Sequence, residues 1–253
     1  MIKLFRKIRQ KLLVKNSFKK YFLYAIGEII LVVIGILIAL QVNNWNSNRL
    51  EQKNMNSILE AIKLDLQTDI KETTRLNKFN QTYLNFRRQI LMLKNFDTLP
   101  LDTLTLIMRK RTSQYTLNLA AFNKLTNQGF TKLSKNDTLN KKLYHYYSVI
   151  KEKSEEMNNW ERNSTSQEYE NLLSLGNIEI DAKHYNITEM ENIPTFQDSI
   201  SLRDNIIKVI TSIDGRNLLK SEVFRKIRLI YFFDNRNQFA TDLISEIDKE
   251  LSN

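Results

Sequence analysis

The sequence predicts an all-α protein in which a single transmembrane helix is followed by an antiparallel bundle of long helices. The stretch from Tyr21 to Leu40 is apolar except for Glu28. Only five glycines and two prolines occur in 253 residues, which is few for a β-rich or loop-rich chain. After Asn46, apolar residues recur mostly at steps of three and four, the period of amphipathic helices.

Residues 1–20 form a basic cytoplasmic segment directly before the apolar stretch, and no acidic residue interrupts it. A cationic flank of this kind stays in the cytoplasm, so the rest of the chain is expected beyond the membrane. Apolar residues at helical spacing predict an amphipathic helix on anionic lipid. Its lipid-facing basic residues are Lys3, Arg6, Lys7, Arg9 and Lys11. In a second interpretation this segment is only a topology signal.

Residues 21–42 are predicted to cross the membrane, because a helix of about 20 residues spans roughly 30 Å of hydrocarbon. Tyr21 and Tyr24 mark one membrane interface and Trp45 marks the other. A cleaved signal peptide would show a similar pattern. An uncleaved anchor is favoured, because the apolar run is longer than a signal core and lacks a small-x-small cleavage site around Ala39.

The predicted span carries one acidic residue, Glu28, beside Gly27. A carboxylate in hydrocarbon is costly and is usually paired or turned toward another helix. Gly35 and Ala39 form a small-xxx-small pair that would let a second helix approach closely. These four residues predict a helix–helix contact within the membrane. The alternative is a protonated or interfacial Glu28 with incidental glycines.

Residues 43–253 are predicted to form one extracytoplasmic helical domain. Its first helix is expected to end before Pro100, which cannot continue a helix. Gly129 predicts a left-handed helix terminus, and Asp214-Gly215 is expected to end another helix. Asp102, Asn136 or Asp137, and Thr195 with Asp198 are the candidate caps. The predicted helices span about 47–95, 102–111, 117–128, 137–175, 195–213 and 217–251.

Two apolar stripes define the predicted inward faces of the later helices. In the helix over 137–175 the stripe includes Leu139, Leu143, Tyr146, Ile150, Met157 and Trp160. In the last helix it includes Leu219, Val223, Ile227, Ile230, Phe233, Ala240, Ile244 and Ile247. Gly176–Pro194 has no helical period and is the best candidate for a loop or lid.

The sequence contains no recognisable catalytic, cofactor or metal motif. It has no cysteine, and its two histidines, His145 and His184, lack a second ligand at helical spacing. Carboxylates on the helices alternate with Lys and Arg, which predicts solvated faces. We therefore expect no enzyme activity, no cofactor and no metal. Tyr144, Tyr146, Tyr147 and Trp160 could line a ligand pocket, although core packing is the simpler interpretation.

Two motifs resemble those of a known family. The first combines Met1–Gln10 with the run GEIILVVIGILIALQVNNWN at 27–46, and the second runs from Phe122 to Gly129 and on to Tyr147. They resemble a set of uncharacterised single-pass membrane proteins of Bacteroidota-type bacteria, defined only by a domain of unknown function. The resemblance implies a bacterial inner-membrane protein with a helical periplasmic domain. It implies no activity and no site residue.

Two functions are compatible with these features. The first is a membrane-anchored, non-enzymatic interaction or scaffold protein that associates with itself or with another membrane protein. The second is an extracytoplasmic sensory or ligand-binding module that signals to a separate membrane partner. Membrane lipid is an expected partner in either case. Nucleic acid is not, because the positive excess lies directly before the span.

Overall fold

The computed structural model describes residues 18–179, apart from 128, 130, 131 and 133, and residues 194–252. Every regular element in these ranges is helical, so the predicted all-α class is confirmed there. The chain divides into two compact units, Met1–Ser57 and Ile58–Asn253. They are described one at a time below.

The first unit contains the beginning of helix α1, Phe18–Met92. In the described ranges, α1 is the one helix long and apolar enough to cross a membrane. Its side chains from Ile29 to Val42 are all exposed, because nothing within this unit covers them. Most of the basic segment, including Lys3, Arg6, Lys7, Arg9 and Lys11, lies outside the described residues.

In the part of the second unit that the structure describes, the rest of α1 is followed by six further α-helices. They are α2 Leu101–Met108, α3 Ala120–Asn127, α4 Asp137–His145, α5 Lys151–Ser174, α6 Ser199–Thr211 and α7 Ile213–Leu251. Along α1 and α7 the contacts run in opposite directions, from Lys63–Asp248 through Asn77–Asp234 to Tyr83–Glu222. These two helices are therefore antiparallel neighbours.

Two apolar clusters form the core of the second unit. The first joins the start of its α1 portion, at Leu59 and Leu66, to α3, α4 and the end of α7 at Leu243. The second joins the end of α1, at Ile90, to α2, α6 and the beginning of α7. Along both α1 and α7, the stretch between these clusters buries polar and charged side chains beside a few apolar ones. That stretch holds the candidate site.

The helix caps are partly as predicted. Asn136 accepts hydrogen bonds from the backbone N–H groups of Thr138 and Leu139, and Gly129 has φ 75°. Two predicted caps are wrong. Asp102 lies inside the first turn of α2, which begins after Pro100 with no side-chain cap. Asp198 rather than Thr195 caps α6, because its carboxylate is the group that meets the exposed N–H of Ile200 and of Ser201.

The predicted helix end at Asp214-Gly215 is also wrong. Helix α6 ends at Thr211, and Ser212 both follows it and caps α7 by accepting a hydrogen bond from the N–H of Gly215. Gly215 sits in the first turn of α7, where an added Cβ would lie 2.0 Å from the carbonyl oxygen of Val209. Glycine is thus required here by close backbone approach rather than as a helix terminus.

A π-helical turn, Tyr146–Ile150, joins α4 to α5. The buried residues of α5 are Ser154, Glu161, Thr165, Glu168 and Leu172. Met157 is only half-buried and Trp160 is 37% exposed, so the predicted inward positions are wrong there. The π-helical turn holds one more residue than an α-helical turn. The residues of α5 that face inward are therefore about one position later in the sequence than an uninterrupted α-helix would place them.

Candidate functional site

A group of charged side chains is buried between the two apolar clusters of the second unit. We call it the buried ion network. It comprises Arg87 of α1, Lys110 of the segment after α2, Glu161 and Glu168 of α5, and Glu222, Arg225 and Lys226 of α7. None of these side chains is more than 8% exposed. The expectation that such residues form solvated faces is therefore wrong for this group.

Glu222 is the centre of one half of the network. Its Oε2 lies 2.8 Å from Nε of Arg87 and 3.0 Å from Nζ of Lys110, and the hydroxyl of Tyr83 donates to Oε1. The Arg87 guanidinium also donates to the carbonyl oxygens of Ile107 at 2.7 Å and Arg109 at 2.6 Å. These bonds attach the end of α2 to α1 and α7, and they bring Lys110 inward.

Glu161 is the centre of the other half. It accepts from Arg225, from Nζ of Lys226 at 2.5 Å and from the backbone N–H of Ser113 at 3.1 Å. Arg225 also donates to Glu168 at 2.7 Å. Since buried charges are tolerated only when they are paired and hydrogen-bonded, this half fixes α5 against α7 in one register.

The network contains four cationic side chains but only three carboxylates, so one positive charge is in excess. Burial would raise the pKa of Glu222, but the charges of Arg87 and Lys110 outweigh it and hold that pKa below its ordinary value. Burial lowers the pKa of Lys110, and Glu222 opposes this only in part. Burial lowers the pKa of Lys226 in the same way, so the network holds two lysines whose charge burial disfavours, and of these Lys110 belongs to the lining of the cavity described next.

A cavity of about 460 Å³ adjoins the network at Lys110. Five apolar side chains line one part of it: Met108, Leu173, Ile178, Leu202 and Ile206. Three consecutive cationic residues, Arg109, Lys110 and Arg111, line another part. The cavity therefore combines an apolar wall with a positively charged one.

Two further residues of the lining matter for binding. Thr165 is 6% exposed, and its hydroxyl has no hydrogen-bond partner in the described part of the chain. Glu179 is the one acidic residue among the described residues of the lining, and its Oε2 accepts from the backbone N–H groups of Phe196 at 2.8 Å and Gln197 at 2.7 Å. Ile178 and Glu179 belong to the stretch 176–194 that was predicted to be a loop or lid, most of which lies outside the described residues.

The residues predicted from the apolar stretch lie in the first unit. Gly35 and Ala39 are exposed on α1, as is Gly27, and a Cβ added at either glycine would meet nothing within 4 Å. Glu28 and Tyr24 are half-buried. Trp45 is 66% exposed, with the guanidinium carbon of Arg49 5.8 Å from its ring centroid. Nothing of the Tyr21 side chain is described. The predicted helix–helix contact stays a prediction.

The aromatic residues considered as a pocket are mostly core. The hydroxyl of Tyr146 donates to Asp69 at 2.9 Å, and Tyr147 stacks on Phe122 with ring centroids 4.4 Å apart. Neither they nor Tyr144 and Trp160 line the cavity. The ring of His145 packs 5.5 Å from that of Phe239, and His184 lies outside the described residues. Within the described ranges, no cluster of His, Asp and Glu could hold a metal ion.

Three buried tyrosines of the second unit and the half-buried Tyr115 should resist ionisation while the protein is folded. Burial raises the pKa of each above the ordinary value of 10.0, and neighbouring carboxylates add to this for Tyr83, Tyr115, Tyr146 and Tyr147. The folded state keeps protons that the unfolded state releases. Their stabilising contribution is therefore complete below pH 10 and is lost as the pH rises above it. Burial lowers the pKa values of Lys110 and Lys226, so these two residues act in the opposite direction. Their effect is that the folded state becomes more stable as the pH rises, and this gain is complete at pH 10.5.

Tyrosinate absorbance, followed during an alkaline titration alongside circular dichroism, measures this effect. Of the ten tyrosines in the chain, these four should ionise in one step together with the loss of helical signal. In concentrated guanidinium chloride all should titrate together near pH 10. Tyr147→Phe should reduce the absorbance change of the late step and leave the earlier ionisation of the other tyrosines unchanged. Smooth ionisation of every tyrosine in a protein that stays helical would contradict the assignment.

Comparison with known proteins gives one match. A model of a family of unknown function, DUF6090, matches residues 28–119. No curated protein and no solved structure matches the chain. The resemblance to an uncharacterised family is thus confirmed over this range. The range includes Arg87 and the three cations of the cavity but not Glu161, Glu222 or any other residue of α5 and α7.

Proposed function

We propose that the chain is a membrane-anchored, non-enzymatic binding module, in which a small ligand occupies the cavity beside Lys110 and a separate membrane partner receives the signal. The observation that carries the proposal is the cavity of about 460 Å³ with its apolar wall and converging polar groups. Small-molecule sites typically have this size and composition. Buried ion pairs contribute little net stability, so a network that reaches a cavity is better explained by binding than by folding.

The apolar part of α1 is the anchor in this proposal. Its exposed side chains from Ile29 to Val42 form an apolar surface far larger than a water-exposed helix carries. With residues 1–20 held in the cytoplasm by their charge, residues 43–253 would lie in the periplasm of a bacterial cell as an antiparallel helical bundle.

A scaffold role is the second candidate, and one observation favours it. Phe224, Ile227 and Tyr231 are 57%, 40% and 68% exposed and recur at steps of three and four on α7, so they form an apolar stripe that faces solvent. Self-association through this stripe, or through Gly35 and Ala39 in the span, is compatible with the binding role. Neither candidate involves nucleic acid.

A thermal-shift screen of the full-length protein in nanodiscs of zwitterionic lipid tests the binding role. A ligand at about 100 times its Kd should stabilise the folded state by about 2.7 kcal/mol and raise the unfolding midpoint by several degrees. Ser166, an exposed residue of the cavity lining, offers a blocking variant. Ser166→Trp should abolish the shift.

Gln167→Trp is the matched control, because Gln167 is the exposed neighbour that does not line the cavity. This variant should keep the full shift. A screen of anionic, neutral and cationic metabolites that yields no shift would contradict the binding role. So would shifts that persist equally in Ser166→Trp, since the ligand would then bind elsewhere. The scaffold role would in either case be the one to pursue.

A further inference from the structure

The charge balance around the cavity indicates the chemistry of its ligand. Among the described residues, the buried ion network has one cation more than it has carboxylates, and one of its cations, Lys110, belongs to the cavity lining. An uncompensated positive charge in a buried region is unfavourable, and a bound anion would neutralise it. The cavity is therefore electrostatically prepared for a negative group.

Two residues of the cavity lining have buried hydrogen-bond donors without a full set of partners in the described ranges. Lys110 has three N–H donors, and one of them bonds to Glu222 at 3.0 Å, which leaves two without a partner in the described ranges. Thr165 lines the same cavity with a buried hydroxyl that has no partner either. A buried donor without an acceptor is costly, so both groups gain by meeting the oxygens of a ligand.

The rest of the lining restricts the remainder of the ligand. Leu173, Leu202 and Ile206 come from α5 and α6 and present only hydrocarbon to the cavity, as do Met108 and Ile178. A strongly hydrated ion such as free phosphate would leave this wall uncovered. An organic anion with an apolar body would cover it and would gain the hydrophobic contribution of that burial.

We infer that the ligand is a small organic carboxylate with an apolar body, whose carboxylate binds Lys110 and Thr165 and whose body packs against α5 and α6. This inference rests on the proposed binding function and specifies its ligand class. The carboxylate completes the charge balance of the buried ion network. Binding therefore acts on Lys110 and α5, which the network and the cavity share, and connects them to α6, which lines the cavity alone.

Isothermal titration calorimetry of the full-length protein in nanodiscs of zwitterionic lipid tests the inference. The probes are hexanoate, octanoate and phenylacetate, each paired with its neutral amide, and hexylammonium as a cation of matched size. We expect at least one carboxylate to bind about 10- to 100-fold more tightly than its amide, because hydrogen bonds to a charged group are strong. Hexylammonium should not bind.

Three variants locate the interaction. Lys110→Met should weaken carboxylate binding about 10- to 100-fold while the unfolding midpoint stays equal or rises, because the excess charge is removed. Thr165→Val keeps the shape of the side chain and should weaken binding several-fold without loss of stability. Lys153→Met, which removes an exposed cation of α5 outside the cavity, should change neither.

The outcomes separate this inference from the function on which it rests. Amides that bind as tightly as the carboxylates, or a preference for hexylammonium, would overturn the ligand class and leave a binding module with another ligand. Carboxylate affinity that is unchanged in Thr165→Val and Lys110→Met would overturn it as well. If none of the probes binds, the inference is wrong, and the metabolite screen with Ser166→Trp then decides whether the cavity binds any ligand.

A positive result also distinguishes two sources of the carboxylate. Affinity that is highest for hexanoate or phenylacetate would support a water-soluble metabolite. Affinity that continues to rise through octanoate to dodecanoate would support an acyl chain released from lipid. Both results agree with the inferred class, because the charged group and its partners are the same.

Discussion

Replacing Glu161 with alanine should lower the free energy of unfolding by about 3–5 kcal/mol. Glu161 is fully buried and is the carboxylate that both Arg225 and Lys226 share. Without it Lys226 keeps only the carbonyl oxygen of Arg111 as a partner, and its charge stays buried without an opposite charge in contact. Urea unfolding of the detergent-solubilised protein, followed by circular dichroism, measures the loss.

Glu155 provides a matched control on the same helix. Its side chain is 56% exposed and pairs with Lys151 at 2.9 Å, an arrangement that contributes at most about 1 kcal/mol. Glu155→Ala removes the same atoms and should therefore have a small effect. If the two variants lost the same free energy, Glu161 would be solvated, and the buried ion network could not exist in the form described above.

Gly215→Ala should lower the free energy of unfolding by about 3 kcal/mol, at the upper end of what added volume in a packed region costs. The new methyl group would stand 2.0 Å from the carbonyl oxygen of Val209 and 2.9 Å from its carbonyl carbon. Because these are backbone atoms, α6 and α7 would have to move apart at Ser212. The same urea titration measures the effect.

Gly176 supplies the comparison, because its added Cβ would also meet Val209, but at the side-chain atom Cγ2, 2.4 Å away. Gly176→Ala should be destabilising in the native background and nearly neutral when combined with Val209→Ala, which removes that atom. Gly215→Ala should lower the free energy of unfolding by the same amount in the Val209→Ala background as in the native one. Rescue of Gly215→Ala by Val209→Ala would contradict the backbone contact.

Apolar periodicity was sufficient to predict the helical class and the positions of most helices. It predicted the last helix well at its two ends, where Leu219, Ala240 and Ile247 are buried as expected. It also holds for Ile230 and Phe233, but it failed at Ile227, which was expected to be buried and is 40% exposed, while the adjacent Lys226 is fully buried. A rule that assigns apolar residues to the inside cannot find a core that is built of ion pairs.

The cavity could not be predicted for a related reason. Its cations are three consecutive residues, Arg109, Lys110 and Arg111, which in a sequence indicate an exposed loop. What brings Lys110 inward is Glu222, which lies 112 positions away in the chain. One sequence signal did exist: Ser154, Glu161 and Glu168 recur every seven residues on α5, a polar stripe that matches the heptad period.

The π-helical turn Tyr146–Ile150 determines which of two stripes α5 presents to α7. If the same residues formed an ordinary α-helical turn, α5 would rotate by up to about 100°. It would then present Met157 and the indole of Trp160 to α7 in place of its carboxylates. A chain with one residue deleted between Tyr146 and Ile150 would instead keep Glu161 and Glu168 in place on a regular helix. In an alignment of relatives, a single-residue gap at this point should therefore indicate that the ion pairs are preserved. A relative that has no gap and no wide turn should instead have apolar contacts between α5 and α7.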